Sequence, residues 1–328
     1  MTLFALTSKN LNRKRAEMVS VREVICGTEL DKPAESALRY SFFVTERFHS
    51  SLHVLHAHDG GGECGANRYV SSAERMQRLL ANHRLRERLD AVVRSVTTSA
   101  TAHAMSHVAD GTWTEAVFAF SERQHADVVV LGSSENQAGA SRIDQLAQRT
   151  RCPLLSVPAH QHAGPPRLTR ILLALQPEED GGALLEWATL WARQFGASVR
   201  LLFCEGPSSE SARWQREVEG KLRSAGLTLS HCRASLRSEI AERVQSEAAL
   251  GESDLIMMSA NLRDDRDRSV AALVRRTGAA PLLSVRHARP DRLFIDPALE
   301  GDGTASVPPP LQAMAAPQAL LISERRAS

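Results

Sequence analysis

The chain is written twice, and this constrains the fold more than any other feature. Phe48-His-Ser-Ser-Leu-His-Val-Leu-His is answered 147 positions later by Phe195-Gly-Ala-Ser-Val-Arg-Leu-Leu-Phe. At the same offset Leu38 meets Leu185 and Tyr40 meets Trp187. Ala126-Asp127-Val-Val-Val-Leu-Gly132 is answered by Ser253-Asp254-Leu-Ile-Met-Met-Ser259, and Cys152-Pro-Leu-Leu-Ser-Val157 by Ala280-Pro-Leu-Leu-Ser-Val285. These later offsets are 127 and 128, so the first copy is longer in its middle. The surplus falls around the Gly-rich stretch Asp59 to Asn67, which reads as a loop.

Within each copy, short apolar runs alternate with helical patterns. The first copy gives strands at Glu23–Gly27, Ser51–Ala57, Ala102–Val108, Asp127–Leu131 and Leu154–Val157. Between them lie helices at Pro33–Phe48, Ala73–Arg94 (long and polar), Thr114–His125 and Arg142–Arg149. The second copy repeats this from Arg170 to Val285. Apolar strands alternating with helices mark βαβ units and a parallel sheet covered on both faces. Right-handed crossovers then give two doubly wound, three-layer α/β/α domains. The expected boundaries are an N-terminal extension at 1–20, domains at 21–158 and 169–288, a Pro- and Gly-rich linker at 159–168, and a disordered tail at 289–328. The last strands, Leu154–Val157 and Leu282–Val285, are short and apolar, so the two domains are expected to pair through them as an intramolecular pseudo-dimer.

Composition narrows the function. A formal net charge of +2 does not point to nucleic acid. No apolar run reaches the roughly 20 residues that a membrane helix needs, and the start of the chain lacks a secretory pattern, so a cytoplasmic protein is expected. Five scattered cysteines without CxxC spacing argue against a disulfide framework or a zinc site, and Cys64 is the one candidate reactive thiol. His56 and His58 share a strand face, but the nearby third ligands are limited to Asp59 or Cys64, so one packed and one solvated histidine is expected. His160 and His162 fall in the linker. The run Asp264-Asp-Arg-Asp-Arg268 reads as a solvated surface loop. Trp187, Trp191 and Trp214 read as core or interface aromatics. No Ser-His-Asp or Cys-His signature appears.

The order of these elements, with strands reading Ala-Asp-Val-Val-Val-Leu-Gly and Cys-Pro-Leu-Leu-Ser-Val, resembles the universal stress protein family. Glu35-Ser-Ala-Leu-Arg-Tyr, Leu52-His-Val-Leu-His, the turn His107-Val-Ala-Asp-Gly-Thr-Trp-Thr-Glu-Ala-Val and Arg149-Thr-Arg-Cys-Pro-Leu-Leu arrive in the family's order. The resemblance implies an adenine-nucleotide α-hydrolase-like fold in a tandem member. Members of the family that bind ATP carry an Asp after the first strand and a G-x2-G-x9-G-[ST] loop after the fourth. Its glycines let backbone amides approach phosphate at a helix N-terminus. Here Glu29 and Gln176 stand at the Asp position, Gly132 at the first glycine, with Ser133 beside it, and Ser141 and Ser269 at the final hydroxyl. Glu135 and Leu262 replace the second glycine, Ala140 and Arg268 the third, and the loop is four or five residues short.

The expectation is therefore a non-catalytic stress-response protein acting through an unknown protein partner, with no cofactor. ATP is the possible ligand, at Glu29, Gly132, Ser133 and Ser141 and more remotely at Ser269, which would make the first domain an ATP-binding stress sensor. An ATP-pyrophosphatase-type enzyme would need a Ser-Gly-Gly-x-Asp-Ser type loop after the first strand, which Gly27-Thr-Glu-Leu-Asp31 does not supply.

Overall fold

The computed structural model describes residues 20–58, 71–97, 104–133, 137–159, 166–177, 182–204, 209–231, 239–264, 266–278 and 280–286. All of them fall within one unit of the chain, Met1–Leu293. The expected extension as far as Val19, most of the linker and the expected tail lie outside the described residues, as do Cys64, Glu135, His160 and His162.

The first half runs β1 (Glu23–Thr28), α1 (Lys32–Phe48), β2 (Ser51–His58), α2 (Ser72–Val96), β3 (Ala104–Asp110), α3 (Trp113–Arg123), β4 (Val128–Ser133), α4 (Gln137–Arg149) and β5 (Leu154–Pro158). The second runs β6 (Arg170–Leu175), α5 (Gly182–Phe195), β7 (Ser198–Phe203), α6 (Ser209–Ser224), β8 (Leu229–His231), α7 (Ile240–Leu250), β9 (Leu255–Ser259), α8 (Val270–Thr277) and β10 (Leu282–Val285). Local chemistry sets several boundaries. The Asp31 carboxylate accepts the Ala34 N–H at 3.0 Å and caps α1, with proline in the first turn. His49, at φ 56°, ends that helix in the left-handed region. Helix α4 begins at Gln137, five residues before the helix expected from Arg142, because Gln137 to Ser141 carry no apolar periodicity to announce it.

The ten strands form one sheet in the order β3-β2-β1-β4-β5-β10-β9-β6-β7-β8. Every neighbouring pair is parallel except β5 and β10, which meet antiparallel at the centre with Leu283 opposite Leu155. Read outward from that seam, each half presents its last, fourth, first, second and third strand. The Ser284 hydroxyl donates to the Leu154 carbonyl at 3.1 Å and the Ser156 hydroxyl to that of Leu282 at 3.3 Å, so the repeated serine serves the seam from both sides.

The other repeated residue has an equally local purpose. Asp127 Oδ2 accepts the N–H groups of Arg22 at 2.7 Å and Glu23 at 3.0 Å, where β1 begins. Asp254 Oδ2 does the same for Thr169 and Arg170 at the start of β6, at 2.7 and 3.1 Å. Each carboxylate satisfies donors that the sheet leaves open.

The core divides unevenly. One face of the sheet is covered by a single apolar cluster running through both halves, from Val24 and Leu52 to Leu173 and Val199. There α1 and α5 meet through Phe43–Phe195 and Phe48–Trp191, with ring centroids 5.1 and 5.5 Å apart. The opposite face carries two separate clusters, one under α3 and α4 and one under α7 and α8. Arg275 of α8 crosses between the halves to pair with Asp144 of α4.

Candidate functional site

The carboxyl ends of β1 and β4 lie next to each other, as parallel pairing of Gly27 with Leu131 requires. In open α/β sheets ligands bind outside such strand ends. A cavity opens at this place in the first half, lined by Gly27, Glu29, Asp31, Trp113, Gly132 and Arg142, among others. Glu29 and Gly132, far apart in sequence, therefore share one site. Ser133 is the last residue of β4 and is buried, facing away from solvent. Ser141 sits in the second turn of α4, exposed, and is not part of the lining.

Two features decide what this cavity can hold. Gly27 is tightly packed: a Cβ there would lie 2.7 Å from the Leu131 side chain and 3.4 Å from the Trp113 ring. Arg142, one turn into α4, turns back onto Glu29. Both guanidinium amino groups donate to its carboxylate, Nη1 to Oε1 in a very short contact and Nη2 to Oε2 at 3.1 Å. This bidentate pair lies across the strand ends, with the Arg142 guanidinium 5.6 Å from the centre of the Trp113 ring. The cavity is partly open to solvent, and the space it leaves for the centre of a water molecule is about 10 Å³. An ATP triphosphate needs free donors and room. Among the described residues, the Glu29 carboxylate is already coupled to Arg142 in this arrangement.

The second half is built differently at the matching place. Leu262, where a glycine would stand, is fully buried against the cluster under α7 and α8. Asp264 is not solvated, contrary to the reading of its charged run as a surface loop: its side chain is 2% exposed. Its Oδ1 accepts the backbone N–H groups of Arg266 and Arg268 at 3.0 and 2.8 Å, and its Oδ2 accepts from Arg268 Nε at 2.7 Å. Burial alone would push the Asp264 carboxyl up. The donors of Arg268 and Arg266 outweigh it and hold the carboxyl below the usual carboxylate range. A side-chain anion thus takes the backbone amides that a phosphate loop offers its ligand. Ser269 caps α8, accepting the Ala272 N–H at 3.3 Å, and Gln176 is buried at the end of β6.

The histidines separate by environment. His53 is buried, donating from Nε2 to Glu23 Oε2 at 2.9 Å and meeting His107 Nε2 through Nδ1 at 3.0 Å. Burial, with the charges of His53, Arg86 and Arg123, pulls the His107 pKa down to about 4. His56 donates from Nδ1 to the Thr28 carbonyl at 2.9 Å. Among the described residues no three His, Cys, Asp or Glu side chains are placed to hold a metal ion. Cys26 is buried, which pushes its thiol up to about 12 in spite of a hydrogen bond with Ser41. No described helix is long and apolar enough to cross a membrane.

Comparison with known proteins follows the same line. Residues 20–158 match the Universal stress protein family. Its span covers the first half from β1 to β5, with the cavity and the Glu29–Arg142 pair inside it. None of the curated proteins matches the chain. Among solved structures, a universal stress protein from Archaeoglobus fulgidus superposes with a TM-score of 0.63 at 12% identity, over 81% of this chain and 97% of that one. A putative universal stress protein from Pseudomonas aeruginosa gives 0.52 at 15%, over 83% and 95%. The cytoplasmic domain of a prokaryotic cation chloride cotransporter gives 0.51 at 13%, over 84% and 99%. At these identities the likeness is one of fold: a mostly parallel sheet with the adenine-nucleotide α-hydrolase-like arrangement. A transporter domain among them shows how little function the fold alone fixes.

Proposed function

We propose that the whole chain is a tandem universal stress protein, with domains at 21–158 and 169–288 pairing as an intramolecular pseudo-dimer, and that it serves a cytoplasmic stress response without catalysis. It acts through protein partners, and its nucleotide-type sites are closed by its own side chains. The observation that carries this reading is the bidentate Glu29–Arg142 pair across the ends of β1 and β4. The buried Asp264 network supports it at the matching place in the second half. The repeated Asp127 and Asp254 clamps, with Ser156 and Ser284 at the seam, support the tandem assignment.

A second reading keeps the first domain as an ATP-binding stress sensor, with Glu29, Gly132, Ser133 and Ser141 around the ligand and Ser269 as a remote counterpart. What favours it is that Glu29 and Gly132 line one cavity. Arg142 would then have to leave Glu29 and turn to phosphate. Calorimetric titration of the full chain with ATP and magnesium separates the two. The first reading expects no heat of binding in the micromolar range. A low-micromolar dissociation constant, abolished by Gly132→Val, would overturn it in favour of the sensor.

A further inference from the structure

The strands at the central seam do not distinguish one half from the other. Both β5 and β10 read Leu-Leu-Ser-Val, at Leu154–Val157 and Leu282–Val285. They meet antiparallel with Leu155 opposite Leu283, its own counterpart at the repeat offset of 128. The seam thus has the self-complementary geometry of an isologous interface. The serine bonds to the Leu154 and Leu282 carbonyls would form equally well between two first halves, or two second halves, of different chains. The contact of Phe48 with Phe195 is as indifferent, since these residues also answer each other in the repeat. An edge strand that can pair with a copy of itself invites assembly between chains.

The helices beside the seam are not indifferent. Asp144 of α4 pairs with Arg275 of α8, and Arg275 Nε donates to Ser156 Oγ at 3.3 Å. At the offset of 128, Ala272 answers Asp144 and Ala147 answers Arg275. The anion therefore stands in one half only, and the cation in the other only. Two first halves joined by the same geometry would set each Asp144 against an alanine. Two second halves would set each Arg275, whose side chain is 2% exposed, against an alanine. Burial raises the Asp144 carboxyl and lowers the Arg275 guanidinium even against the pull of the partner, so either charge alone is costly there. A second contact is one-sided in the same way. Arg286 Nη1 donates to the Gln148 carbonyl, and Pro158, which answers Arg286, has no N–H to return.

We propose that the Asp144–Arg275 pair selects the partner of the seam: it admits a first half against a second half and turns away two like halves. The strands supply the affinity and the pair supplies the choice. Joined in one chain, the two unlike halves then close on each other and not on the like half of another chain. The proposal rests on the tandem reading, and one cross-link separates the two. Leu155→Cys with Leu283→Cys should form a disulfide within a single chain on oxidation, because directly opposed antiparallel residues lie within its reach. Failure to form it would remove the tandem reading and this proposal together. With the cross-link formed, the results below decide the proposal alone.

Sedimentation of the full chain reads the choice. Ala147→Arg with Arg275→Ala moves the arginine to its counterpart, keeps the charge of the chain and makes the first half complementary to itself. Two chains should then join first half to first half, with association at least about tenfold tighter than in the parent. Leu155→Cys alone should cross-link such chains to each other and should not do so in the parent. Adding Asp144→Ala should abolish the gain. Should the moved arginine unfold the chain, reversal of the pair gives the answer. Asp144→Arg with Arg275→Asp should restore the melting temperature that either substitution alone lowers. Association of the relocated variant no tighter than that of Asp144→Ala with Arg275→Ala would overturn the proposal, as would a reversed pair that melts no higher than the single variants.

Discussion

The two halves are built by opposite means at the same position. In the first, an exposed ion pair between Glu29 and Arg142 lies over the strand ends, its side chains 39% and 36% exposed. Such a pair costs little to break, because water solvates both partners once they part. In the second, the loop between β9 and α8 is folded onto a buried carboxylate and pinned by Leu262. Opening it would leave backbone amides without acceptors and take a leucine out of the core. On the proposed reading, the first site is shut by a latch and the second is filled in.

The largest effect is expected where the halves join. Arg275 is 2% exposed, and Asp144 is its charge partner. Arg275→Ala removes a packed side chain and leaves the Asp144 carboxylate unpaired at 22% exposure, so a loss of about 3 kcal/mol is expected in urea unfolding. A single cooperative transition that merely shifts would show the halves melting together. A split transition would show that the comparison concerns two independent bodies. Next comes the filled-in loop. Leu262→Ala should cost about 2 kcal/mol, the low end of the range for a buried leucine, because it lies in a loop beside the core. A loss under about 1 kcal/mol would mean that the second loop is as loosely held as the first.

Much of this architecture was legible in the sequence. The strands were announced by their apolar runs, because both faces of a parallel sheet are covered, and Val128–Leu131 and Leu255–Met258 are indeed fully buried. The site was legible only as positions. Glu29 and Gly132 were singled out, but Arg142 lies 113 residues from Glu29, and no local pattern links them. Ser141 was placed at a loop end, although α4 has already begun, because Gln137 to Ala140 carry no periodicity. Asp264 was hidden by its charged neighbours. The signal that could have found it is an Asp whose carboxylate can reach the N–H two residues on, as Asp264 does for Arg266. Helix α2 read as simply polar because its apolar residues do not gather on one face.

Acid tests the second half further. The Asp264 carboxyl is held below its ordinary value by the Arg268 and Arg266 donors acting against burial. Its ionised form therefore contributes stability above the unfolded carboxyl pKa of about 3.9, and that contribution fades as pH falls through the lower folded value. Asp264→Asn should melt below the parent at pH 7, and the two curves should converge as pH drops below about 4. A constant gap down to pH 3 would mean that the charge of Asp264 is not what secures the loop.

The smallest stability effect and the sharpest functional one belong to the latch. Glu29→Gln keeps the shape of the side chain and removes the charge that holds Arg142. Because both partners are more than a third exposed, the loss of stability should stay within about 1 kcal/mol. The released guanidinium would remain near Gly132 and the first turns of α4, as a free bidentate donor for an anion. Inorganic tripolyphosphate is the simplest probe, since it carries the charge of the nucleotide without its base. Its binding should perturb the fluorescence of Trp113, whose ring lies 5.6 Å from the Arg142 guanidinium. Glu29→Gln should bind tripolyphosphate at least tenfold more tightly than the parent, and adding Arg142→Ala should abolish the gain. Equal binding by parent and variant would show that the pair does not hold the site shut. The short loop after Gly132 would then be the obstacle, and the two halves would be closed by backbone alike.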